Sequence, residues 1–360
     1  MPSHDSQALK SLVASLTDPH TDQPLGDSVQ AVAVRDGRVA VDIVLAYPAA
    51  GWADRLAEQV RGQLLAEPGI DAVTVDLGWQ VTAHAVQGGL APLPGVRNII
   101  AVASGKGGVG KSTVSANLAL ALQAEGARVG LLDADIYGPS QPRMLGLEGR
   151  PATTPERQIL PMESLGLQAM SIGCLVNTDQ AMIWRGPMAT QALQQMVGET
   201  RWDDLDYLVV DLPPGTGDIQ LTLAQRIPVA AALAVTTPQE VALDDVRRAV
   251  AMFGKVRIPI LGVIENMSTH ICSQCGHEDA VFGSGGGSRI AEECGLKLLC
   301  QVPLESGLGR STDQGRPIVV AEPEHPVSQR FRELARRVAA RLSLQNRNAT
   351  VRMPRIRIVD

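Results

Sequence analysis

The chain has 360 residues, 45 % of them hydrophobic and 19 % charged, and a formal net charge of -6. That balance suits a folded protein with a generous core, carries no electrostatic footprint for nucleic acid, and includes no apolar run near the ~18–20 residues that span a bilayer. With three Phe, three Tyr and four Trp the core must be aliphatic, which favours Val/Ile/Leu-rich parallel strands covered by helices on both faces.

The opening "MPSHDSQALKSLVASL" has no basic stretch followed by an apolar one, so no secretory signal is expected. Five cysteines without regular spacing do not make a disulfide framework, and the expected compartment is the cytoplasm. In chain order, an amphipathic helix is predicted around residues 6–16. "GDSVQAVAVRDGRVAVDIVLAY" holds two alternating strands joined at Asp36-Gly37, a strong hairpin signal. A helix near 51–66 and a strand near 71–77 complete a small α+β domain over residues 1–87. "QGGLAPLPGV" reads as a Gly/Pro-rich linker over 88–96.

From residue 97 short apolar strands alternate with helical stretches: "NIIAVAS", "RVGLLDAD", "LQAMSIG", "DYLVVDLP", "AALAVTT", "PILGVIEN" and "LKLLCQVP". Strands spaced by helices imply βαβ units, so residues 97–344 are predicted to form an α/β domain with a mostly parallel, doubly wound sheet. The helix "HPVSQRFRELARRVAARLSLQ" closes it. A basic tail over 345–360, with Arg352, Arg355 and Arg357 and broken by Pro354, is expected to be loosely ordered or docked as an extended strand.

The strand "NIIAVAS" runs into "GKGGVGKST" (105–113) and then into a helix, the context in which G-x-x-x-x-G-K-[ST] binds nucleotide. Backbone N–H groups of Gly105, Gly107, Gly108, Val109, Gly110 and Thr113 are expected to line the phosphate path, aided by the helix N-terminus. Lys111 should reach the β- and γ-phosphates, and the Ser112 hydroxyl should hold Mg²⁺. "LLDAD" places Asp133 and Asp135 at a strand's C-terminal edge, where α/β sheets bind ligands. "LVVDLPPGTGD" ends its strand on Asp211, expected to hold Mg²⁺ through water, with Asp133 beside it. This is a P-loop NTPase fold preceded by a small α+β domain.

The second lysine of the loop, Lys106, makes "KGGVGKS" resemble the deviant Walker A loop of the MinD/ParA/nitrogenase-iron-protein class. That resemblance implies that Lys106 reaches across a homodimer to the partner's nucleotide, that Asp135 orients the attacking water, and that Asn266, ending "LGVIEN", contacts adenine, which favours ATP. Residues 269–278, "THICSQCGHE", carry a C-x-x-C pair, Cys272 and Cys275, which is half of a tetrahedral metal site. Together "SGKGGVGKST", "LLDADIYGPS", "WRGPM", "DLPPGTGD", "TTPQEVALDD" and "ENMS" followed by C-x-x-C resemble the Mrp/ApbC family of iron–sulfur cluster carrier ATPases, over roughly residues 95–325. The first domain resembles the small iron–sulfur-assembly domain that precedes such ATPases, with Tyr47-Pro48 where a Cys-Pro is usual.

The resemblance implies a 4Fe–4S cluster shared by four thiolates of a homodimer and passed to apo iron–sulfur proteins, with scaffold proteins as suppliers and neither nucleic acid nor membrane as partner. Two other readings stand beside it. One is a metal site made of His270, Cys272, Cys275 and His277 within one chain, or zinc bridging two chains, as an aerobic preparation could contain; the protein would then be a zinc-bridged nucleotide switch. The other is a MinD/ParA-type positioning ATPase. Cys174, Cys294 and Cys300 lie in apolar surroundings and are expected to be buried.

Overall fold

The computed structural model describes residues 5–87, 89–175 and 186–347. Helix α1 (Ser6–Ala14) is capped by Asp5, whose side chain accepts from the Gln7 N–H at 3.0 Å. Two short antiparallel pieces follow, β1 (Thr17–Asp18) and β2 (Gln23–Pro24). Strands β3 (Val29–Arg35) and β4 (Arg38–Leu45) then form the expected hairpin, with Asp36 at φ 48° and Gly37 at φ 72°. Two consecutive left-handed residues are what a type I′ turn demands, and Asp-Gly supplies them at low cost. Helix α2 (Ala50–Leu65) crosses back so that β5 (Ala72–Trp79) lies parallel to β4. The alternation in β4 turns Val39, Val41, Ile43 and Leu45 inward onto Leu56, Val60 and Leu64 of α2 and Leu9 and Val13 of α1.

The large domain begins at β6 (Val96–Ser104), one residue before the expected start at 97, because Val96 already pairs with Leu205. It continues through α3 (Lys111–Ala124), β7 (Val129–Asp133), α4 (Gln141–Met144), β8 (Met162–Ser164), β9 (Leu167–Ser171), α5 (Gly186–Glu199), β10 (Leu205–Asp211), α6 (Asp218–Arg226) and β11 (Ala231–Thr236). It ends with α7 (Glu240–Lys255), β12 (Ile260–Ile271), β13 (Glu278–Asp279), α8 (Gly286–Glu293), β14 (Leu298–Leu304), α9 (Ser306–Asp313), α10 (Ile318–Ala321) and α11 (Pro326–Ser343). The sheet runs β13-β12-β11-β6-β10-β7-β9-β8, with β14 on β12, and only β8 and β13 are antiparallel. Helix α3 is buried along nearly its whole length rather than on one stripe, because it lies between the sheet and α11. Among the described residues no helix is long and apolar enough to cross a membrane.

The segment between β5 and β6 is tied down rather than free. Gln87 Nε2 donates to the Ala224 and Ile227 carbonyls at 2.5 and 2.7 Å, and Asn98 Oδ1 accepts from the His84 N–H at 3.0 Å. The start of the tail joins it, since Arg347 bridges His84 and the Ala85 N–H donates to Asn346. The rest of the tail, residues 348–360, lies outside the described residues, as do Trp184 and Arg185 of "WRGPM".

Tyr47 is buried and donates to both oxygens of Asp18, at 2.9 and 2.8 Å, beside His20. The expectation for the three lone cysteines needs correction. Cys174 is buried, but Cys294 and Cys300 are only partly so: Cys294 caps the end of α8, and Cys300 lies on β14 with its Sγ 3.8 Å from the Arg330 carbonyl of α11. Burial still pushes the Cys174 and Cys300 thiols up to about 11.

Candidate nucleotide and metal site

The P-loop leaves the C-terminal end of β6, a central strand, and enters α3 at Gly110, which has φ 79°. Besides that backbone requirement, a Cβ on Gly110 would run into the Asn266 amide, and one on Gly105 would collide with Asp245 of α7. The loop is therefore clamped between β12 and α7 at two positions that tolerate only glycine. Loop residues Gly107 to Thr113 line a cavity of about 230 Å³, with Lys106, Asp135, Ser140 and Pro214 at its rim. That is smaller than the several hundred Å³ of a whole-ligand pocket and suits a phosphate chain whose sugar and base lie beyond the rim.

Sheet register brings the acids together. Asp211 pairs with Asp133 across β10 and β7, and Asp133 pairs with Ser171 across β7 and β9. Lys111 Nζ lies 2.5 Å from Asp211 Oδ1, 3.4 Å from Ser112 Oγ and 4.0 Å from Asp135 Oδ2. Ser115 Oγ donates to the same Asp211 oxygen at 3.0 Å. Asp133 accepts from the Asp135 N–H, the Gln141 N–H and Ser171 Oγ, each at 3.1 Å. Burial, then the neighbouring Asp211 charge, pushes Asp133 upward; burial raises Asp135 as well, against the pull of Lys111. Lys111 pairs with Asp211 and Asp135, and Asp133 lies buried beside Asp211, so three acidic side chains crowd around one lysine and a divalent cation would favour their ionised forms. The donor set fits Mg²⁺, which is commonly held by one hydroxyl, one or two carboxylates and substrate phosphates.

The remaining candidates separate by position. Lys106 is half-exposed at the mouth, and among the described residues its ammonium has no ion pair. Asn266 lies behind the loop, its Nδ2 donating to the Val109 carbonyl at 2.9 Å. Gln141 was not singled out by sequence. It is buried between Ser112, Asp133 and Asp211, and the only signal near it is the adjoining "IYGPS" that follows "LLDAD".

The cysteine pair sits on the loop joining β12 to the edge strand β13. The Cys272 N–H donates to His277 O and the Gly276 N–H to Cys272 O, both at 2.9 Å, closing a tight turn in which Gly276 has φ 71°. Backbone N–H groups of Cys275 and then Gln274 reach the Cys272 sulfur and hold its thiol below its ordinary value. Cys275 is exposed and Cys272 partly so. Among the described residues no three His, Cys, Asp or Glu side chains stand together as a metal site, so the four-ligand set with His270 and His277 within one chain is not formed. One chain presents two thiols.

Residues 95–339 match the family described as NUBPL iron-transfer P-loop NTPase, and residues 6–77 the one described as iron–sulfur cluster assembly protein. The iron–sulfur cluster carrier protein of Haemophilus influenzae is 50 % identical over 306 residues, 85 % of this chain and 83 % of that one. Among solved structures, a nucleotide-binding protein of Archaeoglobus fulgidus in complex with ADP is 38 % identical with a TM-score of 0.58, covering 66 % of this chain and 93 % of that one. The cell-division ATPase MinD of Pyrococcus furiosus is 22 % identical with a TM-score of 0.51, covering 67 % and 98 %, a likeness of fold alone.

Proposed function

The chain belongs to the iron–sulfur cluster carrier family of P-loop NTPases, and from that premise we propose that it hydrolyses ATP and carries a 4Fe–4S cluster to apo-proteins. The cluster is cargo, held by Cys272 and Cys275 of two copies related by a two-fold axis. The observation that carries this reading is the exposed C-x-x-C turn, with N–H groups on one sulfur and no third ligand beside it among the described residues. Two thiolates per copy become four across a symmetric pair, the number a 4Fe–4S cluster takes.

In the nucleotide site Lys111 and the loop N–H groups bind the phosphates, and Ser112 and Asp211 would hold Mg²⁺, with Asp133 behind them. Bound there, the ion supplies charge neutralisation at the β- and γ-phosphates. Asp135, raised by burial and lying near Lys111, would orient the attacking water. Lys106, at the cavity mouth, is the group available to a second copy's nucleotide. Asn266 supports the base side of the loop.

The test is anaerobic reconstitution with iron and sulfide on the parent, Cys272→Ala and Cys275→Ala. About four iron and four sulfide per dimer, lost in both variants, is the expected result. Equal uptake by the variants, or none by the parent, would reduce the pair to a zinc or structural feature of a nucleotide switch.

A further inference from the structure

Gln141 opens α4, eight residues beyond Asp133, and is 1 % exposed. Its backbone N–H donates to Asp133 Oδ2 at 3.1 Å. Its side-chain Nε2 donates to the Ser112 carbonyl at 3.0 Å and to Asp211 Oδ2 at 2.9 Å. One residue thus touches both acidic strand ends and the P-loop residue expected to hold the metal. Asp211's other oxygen is taken by Lys111 and Ser115, so donors on both oxygens stop the carboxylate from rotating.

A second observation separates this from ordinary packing. The Gln141 Oε1 is buried and has no hydrogen-bond partner among the described residues. An orphaned buried acceptor is costly, and an apolar side chain of similar size would avoid it. What offsets that cost here is the amide's N–H side, which reaches the Ser112 carbonyl and the Asp211 carboxylate.

We propose that Gln141 is a positioning residue that fixes the Asp211 carboxylate and ties it to Ser112, so that Mg²⁺ and nucleotide are recognised together. The inference rests on the ATPase reading above but concerns the preceding binding step. Lys111 must serve both Asp211 and the phosphates, and Gln141 keeps the carboxylate oriented when the lysine turns to the nucleotide.

The experiment titrates a fluorescent ATP analogue against the full chain, in EDTA and in Mg²⁺, for the parent, Gln141→Leu and Gln141→Glu, with melting curves alongside. In EDTA the parent and Gln141→Leu should bind within about twofold of one another, because the P-loop N–H groups that hold the phosphates are unchanged. The affinity gained on adding Mg²⁺ should fall about tenfold in Gln141→Leu, the size expected for a lost hydrogen bond to a charged acceptor. Gln141→Glu should regain much of that increment as pH is lowered, since a protonated Glu donates to Asp211 and an ionised one repels it; Gln141→Leu should show no such recovery relative to the parent. A Gln141→Leu variant with the parent's Mg²⁺ increment, or with equal losses in EDTA and Mg²⁺, would overturn the proposal. Should that variant fail to fold, Gln141→Met, an unbranched side chain that donates no hydrogen bond, is titrated in its place and judged by the same two criteria. A parent that binds nucleotide but does not hydrolyse it removes the ATPase reading only, and the Mg²⁺ titration still decides on Gln141.

Discussion

Lys111 carries two burdens, because it faces the phosphate cavity and also neutralises Asp211, which is fully buried 2.5 Å away. Removing one partner of a buried ion pair leaves an uncompensated charge, at a cost of about 3–5 kcal/mol. Lys111→Ala should therefore lose hydrolysis and also fold less stably. Adding Asp211→Asn should restore much of the stability and none of the activity. Urea denaturation checks this, and a single variant as stable as its parent would sink the argument. The lysine was legible because its spacing from the loop glycines is local. Gln141 was not, since its meaning arises when the chain after β7 folds back beside an acid 70 residues further on. Glu125 was equally hidden. An acid following the C-terminal turn of α3 opposes the helix dipole, and its partners all lie far along the chain: Gly51 of α2, 74 residues before it, and Arg332 and Arg336 of α11, over 200 residues after it.

Strand β12 links the two candidate sites through one stretch of backbone. Asn266 grips the P-loop at Val109, and Cys272 stands six residues further along, on the order of 20 Å in an extended strand. Between them the pairing with β14 shifts register, and Met267 sits at φ 54°, a conformation costly for a side chain of this kind. The apolar run of β12 was readable, but its continuation into the thiol turn was not, because Thr, His and Cys carry no strand pattern. The turn itself depends on Gly276, whose φ of 71° is unfavourable for any residue with a Cβ although space there is open. Gly276→Ala should thus act through backbone strain of about 1 kcal/mol, splaying the N–H groups from the Cys272 sulfur. Expected is a severalfold weaker uptake of Co²⁺ or zinc by the pair, with both thiols still reacting with a thiol reagent. Unchanged metal affinity would show that the turn does not preorganise the pair.

At the scale of the molecule, the small domain is joined to the ATPase body by buried charge rather than by a greasy face alone. Glu125 Oε2 accepts from the Gly51 N–H at 2.8 Å and its backbone carbonyl from Ala50, so it caps an α2 N-terminus whose own Ala49 offers no side chain. The same carboxylate holds Arg332 and Arg336 of α11 at 2.9 and 2.7 Å. Beside it His20 stands 3.3 Å from Glu333 Oε2 and 3.5 Å from Asp18 Oδ1. Burial works against a charged His20 ring, yet the bonds to Asp18 and Glu333 outweigh it and raise His20 above 6.5. The bond from His20, and behind it Arg336, holds Glu333 below its ordinary 4.5. Asp18 is likewise lowered from 3.8: burial opposes ionisation, but His20 and Tyr47 prevail. The signs follow by linkage. A raised His20 contributes stability that is complete below 6.5 and fades as pH rises through its folded value. Lowered Glu333 and Asp18 contribute above their ordinary values and fade as pH falls through their folded ones. The contact is therefore strongest in the mildly acidic window between those limits. His20→Gln should melt about 1–3 °C below the parent near pH 5.5, a shift proportionate to a chain this long, and the gap should shrink as pH rises through the folded value of the parent's ring. Melting curves from pH 5 to 9 on both proteins read this directly. A gap constant across that range would mean that His20 contributes shape alone, leaving Glu125 and its two arginines to hold the domains together.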